Sequence, residues 1–416
     1  LAPYRVELTV DGVLLSSITF ESFAYTHTGE VDLTYDMERV RRDRKHYLLL
    51  FHRRGETLWN RTFFNGGTID TEVLHSMVGA RKESYTAVIR TVDRSGNVST
   101  ALVPFAVEQS GTTAGRQTPT RRDDDAAGFY VFEDLLGIGP GGIDAVRADG
   151  AYFEGQSGSR YVLAVEDVLS GTVAGRSNID FVGKDGARTH FLPLRRGEPV
   201  THRIADLGVE LALSDNSLYS DVFIHVSKWK GDAGAAAKSA GLKSAAGPPI
   251  RVGPLSLALR GPLRIRYGGT DEMDDRAAFY QLDERKSEWH YTSSEVVGDT
   301  VVASVRAPGV YGVFVDEDPP KVSTVKVRSR QSYATGATIR ELVIPVEDVG
   351  SGVDDERCVV RVNGRERIAR WDGYLGKMFV PLEEETDTIE FSVTVFDRVG
   401  NQARLSERIS RDATKN

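Results

Sequence analysis

The sequence is poor in cysteine. Cys358 is the only cysteine among 416 residues, so the chain cannot form an intrachain disulfide. It lies in the short apolar run Cys358 to Val362, where a small buried side chain is the expected role. A chain without disulfides fits the cytosol, and it also fits many exported bacterial proteins. Cysteine usage therefore leaves the compartment open.

The sequence also lacks an apolar run long enough to span a membrane, and it shows no signal peptide. It begins with Leu1 rather than Met, and we expect it to be a processed or excised part of a longer protein. The net charge of −8 describes a mildly acidic chain, which argues against bulk nucleic-acid binding. We therefore expect neither a nucleic-acid partner nor a membrane-spanning segment.

Motifs for catalysis and metal binding are scarce. None of the eight histidines stands in an H-E-x-x-H or H-x-H pattern. His46 and His52 could face each other across a turn, although two independent surface histidines are the favoured interpretation. The glycine-rich stretch 136–142 lacks the Lys-Ser/Thr end of a phosphate-binding loop, and we interpret it as an ordinary loop. The motifs predict no catalytic residue and no cofactor.

What the sequence does have is a series of short alternating runs with abundant glycine, which favours an all-β fold. One turn pattern occurs twice, at Asp93 to Asn97 and at Asp397 to Asn401, each time between two alternating runs. Gly and Asn supply positive φ angles there, and the Asp side chain can accept from backbone N–H groups. Two copies, each closing a segment of about a hundred residues, predict two β-sandwich domains of one kind.

The predicted architecture is a tandem of immunoglobulin-like or fibronectin-like β-sandwiches around a larger β-rich middle region. The predicted segments are a sandwich at 1–108, a flexible linker at 109–127, the middle region at 128–315, a second sandwich at 316–411 and a tail at 412–416. Within the middle region we expect two β-subdomains, and a mobile loop at the Gly-, Ala-, Ser- and Lys-rich segment 231–247. A Val-Glu-Asp match between 165–171 and 346–352 raises the hypothesis that the middle region shares ancestry with the sandwiches.

A basic segment of the first domain is the candidate interaction surface. It could dock on the neighbouring domain or on an anionic wall polymer. The interleaved Asp36, Glu38 and Asp43 favour a different interpretation, an ordinary solvated face. The residues of this candidate patch are Arg39, Arg41, Arg42, Arg44, Lys45, Arg53 and Arg54.

Acidic side chains in turns are the other candidates. Asp348 and Asp397 could hold Ca²⁺ between domains, although hydrogen bonding to the turn backbone is the favoured role. The acidic triplet 123–125 in the linker lacks the Gly and Glu of an EF-hand loop, so it is a weak cation candidate.

An ordered set of motifs in the first domain carries a family resemblance. The motifs are Val10-Asp11-Gly12, the strand Ile18 to Phe23, Tyr35 with its charged segment, the stretch Tyr47 to Arg54, Phe64-Asn65-Gly66-Gly67, and Ala87 to Asn97. Their order resembles the region that follows the catalytic domain in long LytM/lysostaphin-type zinc metallopeptidases of Gram-negative bacteria. In that family, β-sandwich modules come after the peptidase domain. The resemblance covers the first domain best.

The resemblance implies a non-catalytic accessory region of a cell-envelope peptidoglycan endopeptidase, periplasmic or secreted. The family's zinc ligands lie in H-x(n)-D and H-x-H motifs that this chain lacks, so zinc is expected only in a peptidase domain outside it. The implied partners are that upstream domain, other envelope proteins and peptidoglycan. Two alternatives stay open: a secreted or surface binding and adhesion array with no peptidase, and an enzyme whose site the middle region builds from scattered residues.

Overall fold

The structure is a computed structural model that describes residues 4–21, 25–53, 55–58, 61–63, 84–106, 129–132, 134–138, 143–148, 151–153, 161–170, 179–183, 186–268, 273–331, 336–382 and 388–410. Within these residues the chain consists mainly of antiparallel strands with three short α-helices. The all-β prediction is confirmed. None of the described helices is long and apolar enough to cross a bilayer. The predicted linker 109–127 and the tail 412–416 lie outside the described residues.

The N-terminal unit, residues 4–106, has one described sheet with the strand order β3-β2-β1-β4-β5. Its strands are β1 (Arg5–Val10), β2 (Val13–Thr19), β3 (Arg61–Phe63), β4 (Ser84–Val92) and β5 (Val98–Ala106). The β1–β2 hairpin turns at Asp11 and Gly12, with φ angles of 46° and 87°, as the sequence predicts. A second layer, and with it a sandwich, stays a prediction for this unit.

The segment between β2 and β3 differs from the prediction in part. The strand expected at Ile18 to Phe23 ends at Thr19, and a 3₁₀ helix follows at Tyr25–Thr34. The charged segment forms α1 (Met37–Asp43), whose first turn is capped by the Asp36 carboxylate. After α1, Leu48 forms an isolated bridge with Tyr35, and residues 47–51 are exposed or half-buried.

In the middle unit, residues 129–316, the described strands form three sheets. Its strands are β6 (Phe129–Phe132), β7 (Leu135–Ile138), β8 (Ile143–Ala148), β9 (Ala151–Phe153), β10 (Tyr161–Ala164), β11 (Ile179–Gly183), β12 (Arg188–Leu194), β13 (Val200–Ile204), β14 (Val209–Leu213), β15 (Val222–Lys228), β16 (Leu242–Ser244), β17 (Ile250–Gly253), β18 (Leu263–Gly268), β19 (Ala277–Asp283), β20 (Glu288–Thr292), β21 (Ser294–Val297), β22 (Thr300–Val305) and β23 (Gly309–Asp316). Its described residues also form two α-helices, α2 (Val165–Leu169) and α3 (Ala233–Ser239), and a 3₁₀ helix at Ala205–Leu207.

The middle unit is built around a ten-stranded sheet. Its strand order is β20-β19-β23-β17-β15-β12-β11-β8-β9, and β16 pairs with β23. The five-stranded sheet β13-β14-β18-β22-β21 packs against it through side chains such as Ile224 and Ile265. The three-stranded sheet β10-β7-β6 forms a second core with it, where Phe129 meets Phe191 with ring centroids 4.7 Å apart. One long sheet therefore carries two hydrophobic cores.

The expected mobile loop at 231–247 is wrong. Asp232 caps α3 by accepting from the Ala235 N–H at 3.0 Å. Ala236 and Ala237 are buried in a cluster with Trp289, because their small side chains let the helix pack closely. The strand β16 then joins the ten-stranded sheet beside β23. A composition typical of a solvated loop thus forms ordered structure through tertiary packing.

Two further predictions need correction. The Val-Glu-Asp match does not mark equivalent structure, because residues 165–169 form α2 whereas Val346 and Glu347 end a strand. The glycine-rich stretch 136–142 begins inside β7, and residues 139–142 lie outside the described residues.

The C-terminal sandwich, residues 321–410, has two sheets of antiparallel strands. Its strands are β24 (Lys321–Val322), β25 (Lys326–Gln331), β26 (Thr338–Glu347), β27 (Val359–Val362), β28 (Arg365–Arg367), β29 (Arg370–Asp372), β30 (Lys377–Leu382), β31 (Thr388–Phe396) and β32 (Gln402–Ser410). Leu342 and Val380 of one sheet share a core with Phe391 and Val393 of the other. The predicted β-sandwich is confirmed for this unit.

Candidate functional site

The predicted basic segment lies on α1 and the loop after it, and part of it contacts the middle unit. Arg41 makes the most extensive contact. Its Nη1 donates to the backbone oxygens of Leu255 and Leu257, the latter at 2.9 Å. Burial lowers the pKa of the Arg41 guanidinium, while the nearby Asp32 carboxylate opposes that shift. The carbonyl groups satisfy a buried cation and so fix α1 against this loop.

Two other arginines of the segment reach the same neighbour. Arg53 donates from Nη1 to the Ser256 oxygen at 3.3 Å, and Arg44 forms an ion pair with Asp283 at 3.4 Å. Arg54, next to it in the chain, lies outside the described residues. We call the three contacting side chains the arginine anchor: Arg41, Arg44 and Arg53.

The other described members of the segment form local contacts instead. Arg39 pairs with Asp36 at 3.7 Å and Arg42 pairs with Glu38 at 3.6 Å, both within one helical turn. Lys45 is exposed. The sequence could not separate docking on a neighbour from a solvated face, and the structure contains both arrangements in one short segment.

The two histidines considered as a facing pair have separate partners. His46 packs edge-on against Tyr35, with ring centroids 5.6 Å apart. The Nε2 atom of His52 lies 3.0 Å from the Glu56 backbone oxygen. The structure therefore places them in two different local contacts.

A cleft of about 780 Å³ opens between α1 and the middle unit. Its lining includes charged side chains of both signs: Glu38, Arg41, Arg42, Arg44, Arg251, Asp283, Glu284 and Arg285. His225 also lines the cleft and is 6% exposed. Burial lowers the pKa of His225 to about 3, and the charge of Arg251 acts in the same direction. His225 is therefore neutral near pH 7.

The hydrogen bonds of the first copy of the repeated turn recur in the second copy. In the first copy, the Asp93 Oδ1 accepts from the N–H groups of Ser95 at 2.8 Å and Asn97 at 2.9 Å. The Asn97 side-chain amide donates to the other carboxylate oxygen at 2.7 Å. Gly96 has a φ of 84°, which a residue with a side chain rarely adopts.

The second copy repeats this pattern with one more donor. The Asp397 Oδ1 accepts from the N–H groups of Val399 at 3.1 Å, Gly400 at 2.7 Å and Asn401 at 2.8 Å. The Asn401 side-chain amide donates to Asp397 Oδ2 at 2.7 Å. The favoured role of this aspartate, bonding to the turn backbone, is confirmed.

The second copy also lies where the C-terminal sandwich meets the middle unit. Asp316 ends β23, Asp348 directly follows β26, and Asp397 directly follows β31. One carboxylate oxygen from each residue lies within 4.8 Å of the others. We call these three residues the aspartate junction. Three strand ends from two units thus bring the carboxylates together.

Hydrogen bonds connect the sandwich to the middle unit at this point. The Ser351 N–H donates to Asp316 Oδ2 at 2.7 Å, and the Asn401 amide donates to the Asp316 backbone oxygen at 2.8 Å. Gly350 permits this approach, since a Cβ there would lie 2.1 Å from the Asp316 carboxylate. Both contacts involve buried groups, so they constrain the orientation of the sandwich.

The electrostatics of the aspartate junction are unfavourable for three negative charges. Burial raises the pKa of Asp348 to about 6; the Gly352 N–H opposes the shift, and the charges of Asp316 and Asp397 increase it. Burial also raises the pKa of Asp397, although the Asn401 amide acts against this. Among the described residues, no Lys or Arg side chain forms an ion pair with any of the three carboxylates.

Sequence reasoning missed Asp316. It belongs to the run 316–320, which ends in two prolines and was interpreted as a domain boundary. The available signal was an acidic residue at the end of a fully apolar strand, directly before a linker. Pairing it with two turn aspartates about thirty and eighty residues later requires the tertiary fold.

No family model and no curated protein matches this chain. The chemistry of the two candidate surfaces therefore follows from their own side chains. The arginine anchor supplies guanidinium donors for carbonyl and carboxylate oxygens. The aspartate junction supplies carboxylate oxygens, the ligands that hard cations prefer.

Proposed function

We propose that this chain is the non-catalytic accessory region of a cell-envelope peptidoglycan endopeptidase, where it positions the catalytic domain and contacts envelope partners. The observation that carries the proposal is the attachment of both outer units to the middle unit through buried and half-buried polar contacts. Arg41 provides this attachment on one side, and Asp316 provides it on the other. Buried polar contacts are directional, so a chain held in this way can set the distance and orientation of an attached enzyme.

The motif order of the N-terminal unit supports the same proposal. It resembles the region behind the catalytic domain of LytM/lysostaphin-type zinc metallopeptidases, so the partner is an upstream peptidase domain. Zinc would be held by that domain. The location is the periplasm or the outer face of the envelope, with other envelope proteins and peptidoglycan as further contacts.

The coding sequence upstream of Leu1 gives the most direct test. The proposal expects a signal peptide and a peptidase domain with an H-x-H zinc motif. A start codon or a signal peptide directly before Leu1 would overturn it. The chain would then be better explained as a secreted binding and adhesion array.

The positioning role can be tested in the complete gene product with Arg41→Met. We expect several-fold slower cleavage of intact murein sacculi, with unchanged cleavage of a short soluble cross-linked peptide. Arg39→Met is the matched control, because the described partners of Arg39, Asp36 and the Tyr47 ring, both lie close to it in the chain. Equal loss on both substrates would contradict a positioning role.

A further inference from the structure

We propose that the aspartate junction binds a hard divalent cation, best matched by Ca²⁺, and that this ion locks the C-terminal sandwich onto the middle unit. The three carboxylate oxygens lie within 4.8 Å of one another. Ca²⁺ binds oxygens at about 2.3–2.6 Å, so ligands on opposite sides of the ion are about 4.6–5.2 Å apart. Mg²⁺ binds at about 2.0–2.1 Å and needs a tighter cage.

The three carboxylates are already oriented by hydrogen bonds from uncharged backbone N–H groups, which leave their negative charge unneutralised. Backbone N–H groups of Ser351 and Gly352 donate to Asp316 and Asp348, and the turn backbone donates to Asp397. Such outer contacts orient metal ligands and limit the entropy lost on binding. The site therefore needs little rearrangement to accept an ion.

In the part of the chain that the structure describes, two buried hydroxyl groups beside the cluster have no hydrogen-bond partner. Ser351 is 1% exposed, its own N–H donates to Asp316, and its Oγ is unsatisfied. Tyr280 is 0% exposed, and its Oη is also unsatisfied. Burial raises the pKa of Tyr280, and the charges of all three junction aspartates raise it further. Unpartnered buried hydroxyls are rare, and an ion or its bound water would satisfy both.

The distribution of charge around the aspartate junction also favours a bound cation. Three carboxylates share a site in which, among the described residues, no Lys or Arg is ion-paired with them. Without an ion, three carboxylates whose oxygens lie within 4.8 Å of one another repel each other. A divalent cation would remove this repulsion. The cation site does not rest on the proposed envelope function, since all of its ligands come from this chain.

The test is a titration of Ca²⁺ into the chelator-treated full chain, followed by calorimetry and by thermal unfolding. We expect one saturable site, a rise in Tm on binding, and a weaker response to Mg²⁺. Asp348→Asn keeps an acceptor for the Gly352 N–H and removes one charge, so Ca²⁺ affinity should fall at least tenfold. Asp93→Asn, in the other copy of the turn, is the matched control and should leave binding unchanged.

Ser351→Ala gives a second variant that removes a single unsatisfied oxygen. We expect a several-fold loss of Ca²⁺ affinity with a normal circular dichroism spectrum. The absence of saturable binding by the wild-type chain at millimolar Ca²⁺ would overturn the proposal. Equal Ca²⁺ affinity in wild type and folded Asp348→Asn would overturn it as well.

Discussion

The two copies of the repeated turn differ in their surroundings far more than in their internal structure. Asp93 and Asp397 each bind the N–H of the residue two positions on and an Asn side chain four positions on. Hydrogen bonds from Asn97 lower the pKa of Asp93, which lies at the surface. Asp397 is 0% exposed, and its pKa is raised by burial.

The comparison separates two levels of control. The local sequence determines the turn, because Asp, Gly and Asn supply the acceptor, the positive φ and the second donor. The position in the fold determines the electrostatics, because burial and the Asp316 charge outweigh the same donors in the second copy. The predictions that follow test this separation.

The largest effect is expected from removal of the turn carboxylates. Asp397→Ala removes a buried carboxylate that accepts from three N–H groups of the turn, and it should lower the free energy of unfolding by about 3 kcal/mol. Asp93→Ala should cost clearly less, because water can replace the lost acceptor. Urea denaturation of both variants measures the difference. Equal losses would show that burial of the second turn adds nothing.

The pH dependence should have opposite signs at the two regions. When a chelator keeps the protein free of divalent cations, the pKa of Asp348 in the folded state is about 6. This pKa lies above that of the unfolded state. Its contribution to stability is therefore present below about pH 4 and is lost as the pH rises through 6. Asp93 has a lowered pKa, so its contribution is present above about pH 4 and is lost on further acidification.

Variants make this prediction measurable. When the pH is lowered from 7 to 4.5, the free energy of unfolding of the wild type should rise by on the order of 1 kcal/mol relative to that of Asp348→Asn. This value includes an allowance for solvent screening. Relative to Asp93→Asn, wild type should lose stability only below about pH 4. Thermal unfolding across this pH range gives both curves. Parallel curves would contradict the assigned pKa directions.

The smallest difference is expected at the turn glycines. Gly96 and Gly400 have φ angles of 84° and 100°, and a Cβ would meet little at either position. Gly96→Ala and Gly400→Ala should each cost about 1–2 kcal/mol, from backbone strain alone. The measurement is chemical denaturation of both variants. A much larger loss in the free energy of unfolding for Gly400→Ala than for Gly96→Ala would mean that the aspartate junction also constrains the turn backbone.

Features fixed by local chemistry were predictable from the sequence. The hairpin turns at Asp11-Gly12 and Asn363-Gly364 have positive φ at all four residues, a conformation that Asp, Asn and Gly adopt more readily than other residues. The helix α3 was missed because its small side chains have no pattern of their own, and burial beside Trp289 makes it stable. Composition describes such a segment poorly when its stability comes from a neighbour.

In the candidate sites, too, the residues can be identified from the sequence, whereas their long-range contacts require the fold. The basic residues were identified, but only the fold distinguishes Arg41, which reaches the Leu257 carbonyl, from Arg39, which stays within its own turn. Asp348 and Asp397 were recognised in their turns. Asp316 joins them only because β23 ends at the same place.

The position of β23 has a mechanical consequence. This strand connects directly to the C-terminal sandwich, and it lies inside the ten-stranded sheet, paired with β19 on one side and with β17 and β16 on the other. A pull on the sandwich would load both hydrogen-bond ladders in shear, so many bonds would have to break together. The middle unit should therefore resist a pull along β23, and the chain can transmit tension as well as fix the orientation of the sandwich.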